Sequence, residues 1–385
     1  MEVTMQNLTQ IPQSQATEGI VDSLETFLNQ EILEEEDIGL EATTPLLQLG
    51  IIDSLTMVSL LGFIETEYGV QVPNEEVTPE NFENLEKIAQ LVNSLQTNQS
   101  DATSVISLSD NNSHPLDETL RILEAAGVQR RIIPIEQDGF THYMHSLAVT
   151  GEQPTWILLA GLGNPSTSWA TILRSQLGQK SAIAIDLSGF GLSKTDQPAP
   201  TYNDHLQILL SLLPLLAQPP YVMVGSSAGA MLATEIARRH PEWVKALVVT
   251  GFGAIQDIPT WRQQLMELSQ QPEQFLQSAY HRPPKLTPML QTLIDDTLSR
   301  PAYQNFLDSK GVEAMTHTFD NIAVPTLFVS GQEDQIIPAE AVKAAFKKVP
   351  GSQLEWLSRC GHFPPAEQPE ELMYLIENFL TKIEA

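Results

Sequence analysis

The stretch YVMVGSSAGAM at 221–231 constrains this chain more than any other. An apolar run suited to a buried strand is followed at once by G-x-S-x-G and then by a helical pattern through Ala230–Arg238. A serine between a strand and a helix at so sharp a turn needs small neighbours. Gly225 and Gly229 leave room for its strained backbone and for close helix–strand packing. Ser227 is thereby the candidate nucleophile, its hydroxyl set at a helix N-terminus where positive partial charge favours a developing oxyanion. The five-residue pattern alone is weak; the strand before it and the helix after it make it specific.

The surrounding sequence alternates short β-type runs with helices. Strands are expected at Arg131–Ile135, Tyr143–Val149, Trp156–Ala160, Ala182–Ile185, Tyr221–Val224, Ala246–Thr250, Pro325–Val329 and Gln353–Leu357. Helical stretches such as Leu206–Leu216 lie between them. Apolar strands alternating with helices call for a mainly parallel sheet covered on both faces. Between Thr250 and Pro325 the chain is too long for one crossover. Its Pro-punctuated helical pattern reads as a helical cap inserted at about 255–320.

These motifs, in this order over 131–385, resemble the α/β-hydrolase superfamily. The resemblance implies a serine, acid, histidine order along the chain. Asp334, just past the Pro325–Val329 strand, and His362, just past the last strand, occupy the C-terminal strand ends where such sites assemble. His362 would take the proton of Ser227, and Asp334 would orient and stabilise the imidazolium. Glu333 is a rival acid whose side chain should point away from that of Asp334. The oxyanion hole would take one backbone N–H from Ala228 and a second from the loop AGLGN at 160–164, with Leu162 the candidate. Asp186, opening DLSGFGLS, reads as a structural turn cap, and His205, His240 and His317 read as surface or structural residues. No metal site is expected. Two departures stand out. Ala160-Gly161 takes the place of the usual His-Gly, and TGFG at 250–253 lacks the acid that assembly-line thioesterases carry after that strand.

At 385 residues with 42% apolar composition, the chain has room for a second domain, since single cores rarely exceed about 250–300 residues. The charge marks where it lies. Residues 1–97 carry a net −17, with Lys87 the one basic residue, out of −28 for the whole chain. Such an acidic module repels nucleic acid and suits basic protein surfaces. Helical spacing over Glu18–Leu33, Ser54–Tyr68 and 85–95 describes a bundle of three main helices plus a short one. The polar run at 96–116 reads as a flexible linker. The expected boundaries are 18–97 for the helical domain, 98–117 for the linker and 118–385 for the hydrolase-like domain.

LGIIDSLTM at 49–57, with Ser54 opening a helix in an acidic bundle, resembles an acyl carrier protein. That resemblance implies a covalent 4'-phosphopantetheine on Ser54, a phosphopantetheinyl transferase and upstream synthase enzymes as partners, and an acyl substrate on the pantetheine arm. Helix-terminal N–H groups suit a phosphodiester there, and acids such as Glu65 and Glu67 suit docking; Ser54 as a mere helix cap is the plain alternative. Joined, the two resemblances imply a thioesterase in polyketide, fatty-acid-like or peptide secondary metabolism, releasing a chain through an acyl-enzyme on Ser227. An acyltransferase would use the same triad, a hydrolase could process an ester, lactone or amide on the carried chain, and a non-catalytic docking module is the remaining alternative. No apolar run reaches the roughly 18 residues of a membrane helix. The polar N-terminus lacks a basic signal region, and one cysteine, Cys360, allows no internal disulfide, so a cytoplasmic setting is expected.

Overall fold

The structure is a computed structural model. It describes residues 13–31, 40–101 and 116–384, apart from Gln48, Gly50, Asp53, Gln71, Asn74, Glu75, Pro79, Ser309 and 314–316. The chain divides into two compact units, Met1–Ile122 and Leu123–Ala385.

In the N-terminal unit, helices Gln13–Glu31, Ser54–Tyr68 and Leu85–Asp101 surround one apolar core. Leu24, Leu28, Leu60, Ile64, Ile88 and Val92 are fully buried, repeating four apart on each helix, the spacing that lines up one helical face. Phe27 stacks on Phe63 with ring centroids 4.4 Å apart. The second helix begins at Ser54, as its spacing predicts. The third runs on to Asp101, four residues into the expected linker. Another helix, Asp117–Ala125, opens where the linker should close, and the division between the units falls inside it. Leu116, Leu120 and Leu123 are buried there, so the periodicity that begins at Leu116 outweighs the polar composition preceding it. The expected Leu33 end of the first helix and most of the linker lie outside the described residues.

The C-terminal unit is a nine-stranded sheet. Its strands are β1 (Gln129–Gln137), β2 (Phe140–Val149), β3 (Glu152–Leu159), β4 (Lys180–Ile185), β5 (Lys194–Thr195), β6 (Tyr221–Ser226), β7 (Val244–Thr250), β8 (Thr326–Gly331) and β9 (Gln353–Leu357). They run in the order β1-β2-β4-β3-β6-β7-β8-β9, with β5 paired to β2. The pairs from β4 to β9 are parallel, whereas β2 runs antiparallel to β1, β4 and β5. β6 and β8 are buried at every position, the mark of strands covered on both faces. The two-residue β5 was not expected from the sequence; so short a pairing leaves no periodicity to read. Between β7 and β8, helices Ile258–Ser269, Pro272–Ala279, Pro288–Ser299, Pro301–Asp308 and Lys310–Glu313 make up the inserted cap. Prolines at the first turn start four of them, where the missing N–H costs nothing. No helix among the described residues is long and apolar enough to cross a membrane.

Candidate active site

Ser227 sits between the end of β6 and the helix Ala228–Arg239, at φ +52° and ψ −119°. That lies outside the ordinary regions for an L-residue, and such strain persists only where the surroundings hold it. Its N–H donates to the Thr250 carbonyl on β7 (2.9 Å), and its own carbonyl accepts from the Met231 N–H (3.0 Å). The helix presses against the sheet so closely that a Cβ on Gly229 would stand 2.1 Å from the Leu159 carbonyl oxygen. Gly229 is the residue that lets the turn form.

The imidazole arrives from the loop after β9. His362 Nδ1 lies 2.9 Å from Asp334 Oδ2, and both side chains are almost fully buried. A carboxylate can only accept, so Nδ1 carries the hydrogen and Nε2 is left as the basic atom. Asp334 is itself held: its Oδ1 accepts from the N–H groups of Ile336 (2.8 Å) and Ile337 (3.0 Å). Glu333 turns the other way and accepts from the N–H groups of Arg359 and Cys360. Gly251 packs on the histidine. A Cβ there would stand 2.7 Å from the His362 carbonyl oxygen and 3.1 Å from Cε1, so the start of the TGFG segment has no room for an acidic side chain.

Glu367, to which the sequence reading gave no role, grips the same loop. Its carboxylate accepts from the N–H groups of Gly361 (2.9 Å) and Phe363 (3.3 Å), which flank His362, and from that of His281 in the cap segment (2.8 Å). Burial pushes its pKa above the usual carboxylate range, and these bonds partly offset the rise. Asp186 follows β4. It is buried and accepts from His145 Nδ1 (2.7 Å), from the Leu192 N–H (3.0 Å) and from the Ser166 N–H. This ties the glycine-rich turn to the segment just beyond the AGLGN loop, the structural role the sequence suggested. His205 is fully buried, His240 stacks on Trp243 and His317 is exposed beside Asp320.

The AGLGN loop runs beside the elbow, where a Cβ on Gly161 would stand 3.3 Å from that of Ser227. Leu162, Ser227, Ala228 and His362 line one cavity of about 60 Å³. The structure thus brings Ser227, His362, Ala228 and Leu162 to a common space, with Asp334 behind the histidine. A nucleophile, a basic nitrogen, an oriented acid and helix-terminal N–H groups together suit acyl transfer. Ser54 belongs to the other unit, as the first residue of a fifteen-residue helix. The first turn of a helix is a place where a phosphodiester is favoured.

A mainly parallel sheet with an antiparallel second strand, a strand–serine–helix elbow after β6 and an acid and histidine after β8 and β9 define an alpha/beta hydrolase architecture. Residues 156–373 match the alpha/beta hydrolase family, and the chain belongs to it. Residues 27–92 match the phosphopantetheine attachment site family, so the N-terminal unit is a carrier domain for covalent 4'-phosphopantetheine. Among curated proteins, 2-hydroxymuconate semialdehyde hydrolase of Pseudomonas putida is 29% identical over 63% of this chain and 92% of its own length. The carboxylesterase CesB of Bacillus subtilis superposes with a TM-score of 0.55 at 20% identity, covering 67% of this chain and 94% of that one. An esterase from Thermogutta terrifontis gives 0.54 at 23% identity, covering 67% and 100%. These relatives are hydrolases, and this chain is a hydrolase fused to a carrier domain.

Proposed function

We propose that this protein is a thioesterase that hydrolyses an acyl chain carried at Ser54, through an acyl-enzyme on Ser227. The observation that supports it is the union, in one chain, of a phosphopantetheine carrier domain with a hydrolase whose Ser227 and His362 line an apolar cavity, Asp334 being hydrogen-bonded to the histidine. The arm supplies a thioester, a better acyl donor than an ester, on a tether. Tethered partners meet at effective concentrations around the millimolar range.

The residues act in order. Ser227 Oγ bonds to the acyl carbon while His362 Nε2 takes the hydroxyl proton, and the N–H groups of Ala228 and Leu162 hold the oxyanion. The C–S bond breaks, and His362 returns the proton to the departing sulfur. Water then loses a proton to His362 and attacks the acyl carbon; the bond to Ser227 Oγ breaks, that oxygen regains the proton, and a carboxylic acid leaves. Asp334 keeps Nδ1–H pointed away from the reaction and stabilises the imidazolium at each stage.

The test is intact-protein mass after loading with a phosphopantetheinyl transferase and an acyl-coenzyme A. Wild type should gain the arm and lose the acyl group. Ser227→Ala should retain the acyl group, its release slowed by roughly a million-fold. Ser54→Ala should gain nothing. Equal release with and without Ser227 refutes the proposal. A second reading is favoured by the acid's place after β8, as in general hydrolases: the site cleaves an ester, lactone or amide within the carried chain. Wild type would then hold a shortened or hydrated chain on Ser54, and Ser227→Ala an unaltered one.

A further inference from the structure

The cavity at Ser227 has a composition that restricts what can fill it. Phe252, Trp261, Phe275, Tyr303, Phe306 and Phe363 supply aromatic walls, and aliphatic side chains such as Met231 and Leu265 supply most of the rest. Apart from Ser227 and His362, the lining side chains offer two nitrogen or oxygen atoms, and both are committed. Trp261 Nε1–H donates to the Ile336 carbonyl (3.0 Å), and the Tyr303 hydroxyl is hydrogen-bonded to Ser269 (3.0 Å). No Lys, Arg, Asp, Glu, Asn or Gln lines it among the described residues. Away from Ser227, His362 and the adjoining backbone, a carboxylate, amine or hydroxyl on the acyl chain would lose its water here and find no side-chain partner, which disfavours its entry.

The volume adds a limit on length. A closed apolar cavity of about 150 Å³ takes up one benzene. This pocket is partly open, and its interior space of about 60 Å³ holds roughly three carbons. The far wall is not free to retreat. Phe306 is buried with its ring against Tyr202 (5.7 Å between centroids) and His205 (5.4 Å), and Tyr303 is tied to Ser269. We infer that the acyl group preferred at Ser227 is short and unsubstituted, a saturated chain of about four carbons counting the carbonyl, with longer and charged chains disfavoured. The inference rests on the proposed role of Ser227, but the cavity carries it, so the two can fail separately.

The full chain is assayed first on free p-nitrophenyl esters. Butyrate should exceed octanoate and hemisuccinate in kcat/KM by at least about ten-fold, the scale at which pockets reject misfitting groups. Propylboronic acid, a stand-in for the tetrahedral adduct, should bind more tightly than heptylboronic or 3-carboxypropylboronic acid by calorimetry. Comparable values for octanoate or hemisuccinate overturn the inference. Phe275→Ala, which opens the cap wall, should raise octanoate relative to butyrate by about ten-fold, with Leu265→Ala as the milder variant should the first not fold. An unmoved preference in both also overturns it. The same series is then loaded on Ser54 and followed by mass. Preference for butyrate among free esters with no release from Ser54 upholds the short pocket and removes the thioesterase reading. Release of every loaded chain at one rate keeps that reading and removes the short pocket.

Discussion

Ser227 at φ +52° stores strain that its neighbours must hold, and two residues nearby show how differently side chains can serve one site. Glu367 touches no reacting atom in the proposed mechanism, yet its carboxylate fixes the amides on either side of His362. Glu367→Ala would strand three donors, each costing about 1–3 kcal/mol if unsatisfied, and let the imidazole drift. Displacements of about 1 Å cost on the order of a hundred-fold in rate. We expect kcat to fall 10- to 100-fold (about that range) with KM little changed, and Glu367→Gln, which keeps an acceptor, to recover most of it. His205 works by staying neutral. Burial lowers its pKa to about 3, Asp204 pulling it up and His142 pushing it down by lesser amounts. Unfolded histidine titrates near 6.5, so below that pH the unfolded chain takes up a proton that the folded one refuses. The associated stability is complete above pH ~6.5 and lost at roughly 1.4 kcal/mol per pH unit down to about pH 3. In urea unfolding, wild type should lose roughly 2 kcal/mol more between pH 7 and pH 5 than His205→Phe; equal losses would contradict this account.

At the scale of elements, the helix Tyr202–Leu216 backs the wall of the acyl cavity through Tyr202 and His205, and its start is fixed by a capping box. Thr201 Oγ1 accepts from the Asp204 N–H (3.2 Å), and Asp204 Oδ2 accepts from the Thr201 N–H (2.7 Å). Thr201→Ala should destabilise by about 1 kcal/mol, lowering Tm by roughly 2–4 °C for a unit of this size, measurable by calorimetry. The T-x-x-D signal is in the sequence, yet apolar periodicity, which strengthens only at Leu206, starts the expected helix there. The same bias placed the elbow helix at Ala230 rather than Ala228. Strands were readable to within a few residues, since central parallel strands are continuous apolar runs. Asp334 and His362 could be located because each follows such a strand. Glu367 could not: it acts through backbone amides, which leave no residue pattern. Nor could the cavity, since the cap's aromatic residues have helical spacing whether they face the core, the solvent or a substrate.

Across the whole molecule, charge and chemistry are divided between units, with −17 on residues 1–97 and a basic histidine closeted in apolar surroundings in the other. Each unit has its own core, so the division by charge coincides with one of packing. The lone Cys360 belongs to this scale too. It is wholly buried in the loop beneath His362, and burial pushes its thiol pKa well above normal, so the nucleophilic thiolate is scarce at neutral pH. A folded apo chain should therefore be silent to a maleimide dye, and the pantetheine thiol, once attached, should be the single reactive sulfur. Labelling should rise from near zero to one dye per chain on loading, remain at zero in Ser54→Ala, and fall again when an acyl group masks the thiol. Rapid labelling of the unloaded chain would contradict the buried placement of Cys360. Read as fluorescence, the burial of one sulfur makes the protein its own meter of whether the arm is empty or charged.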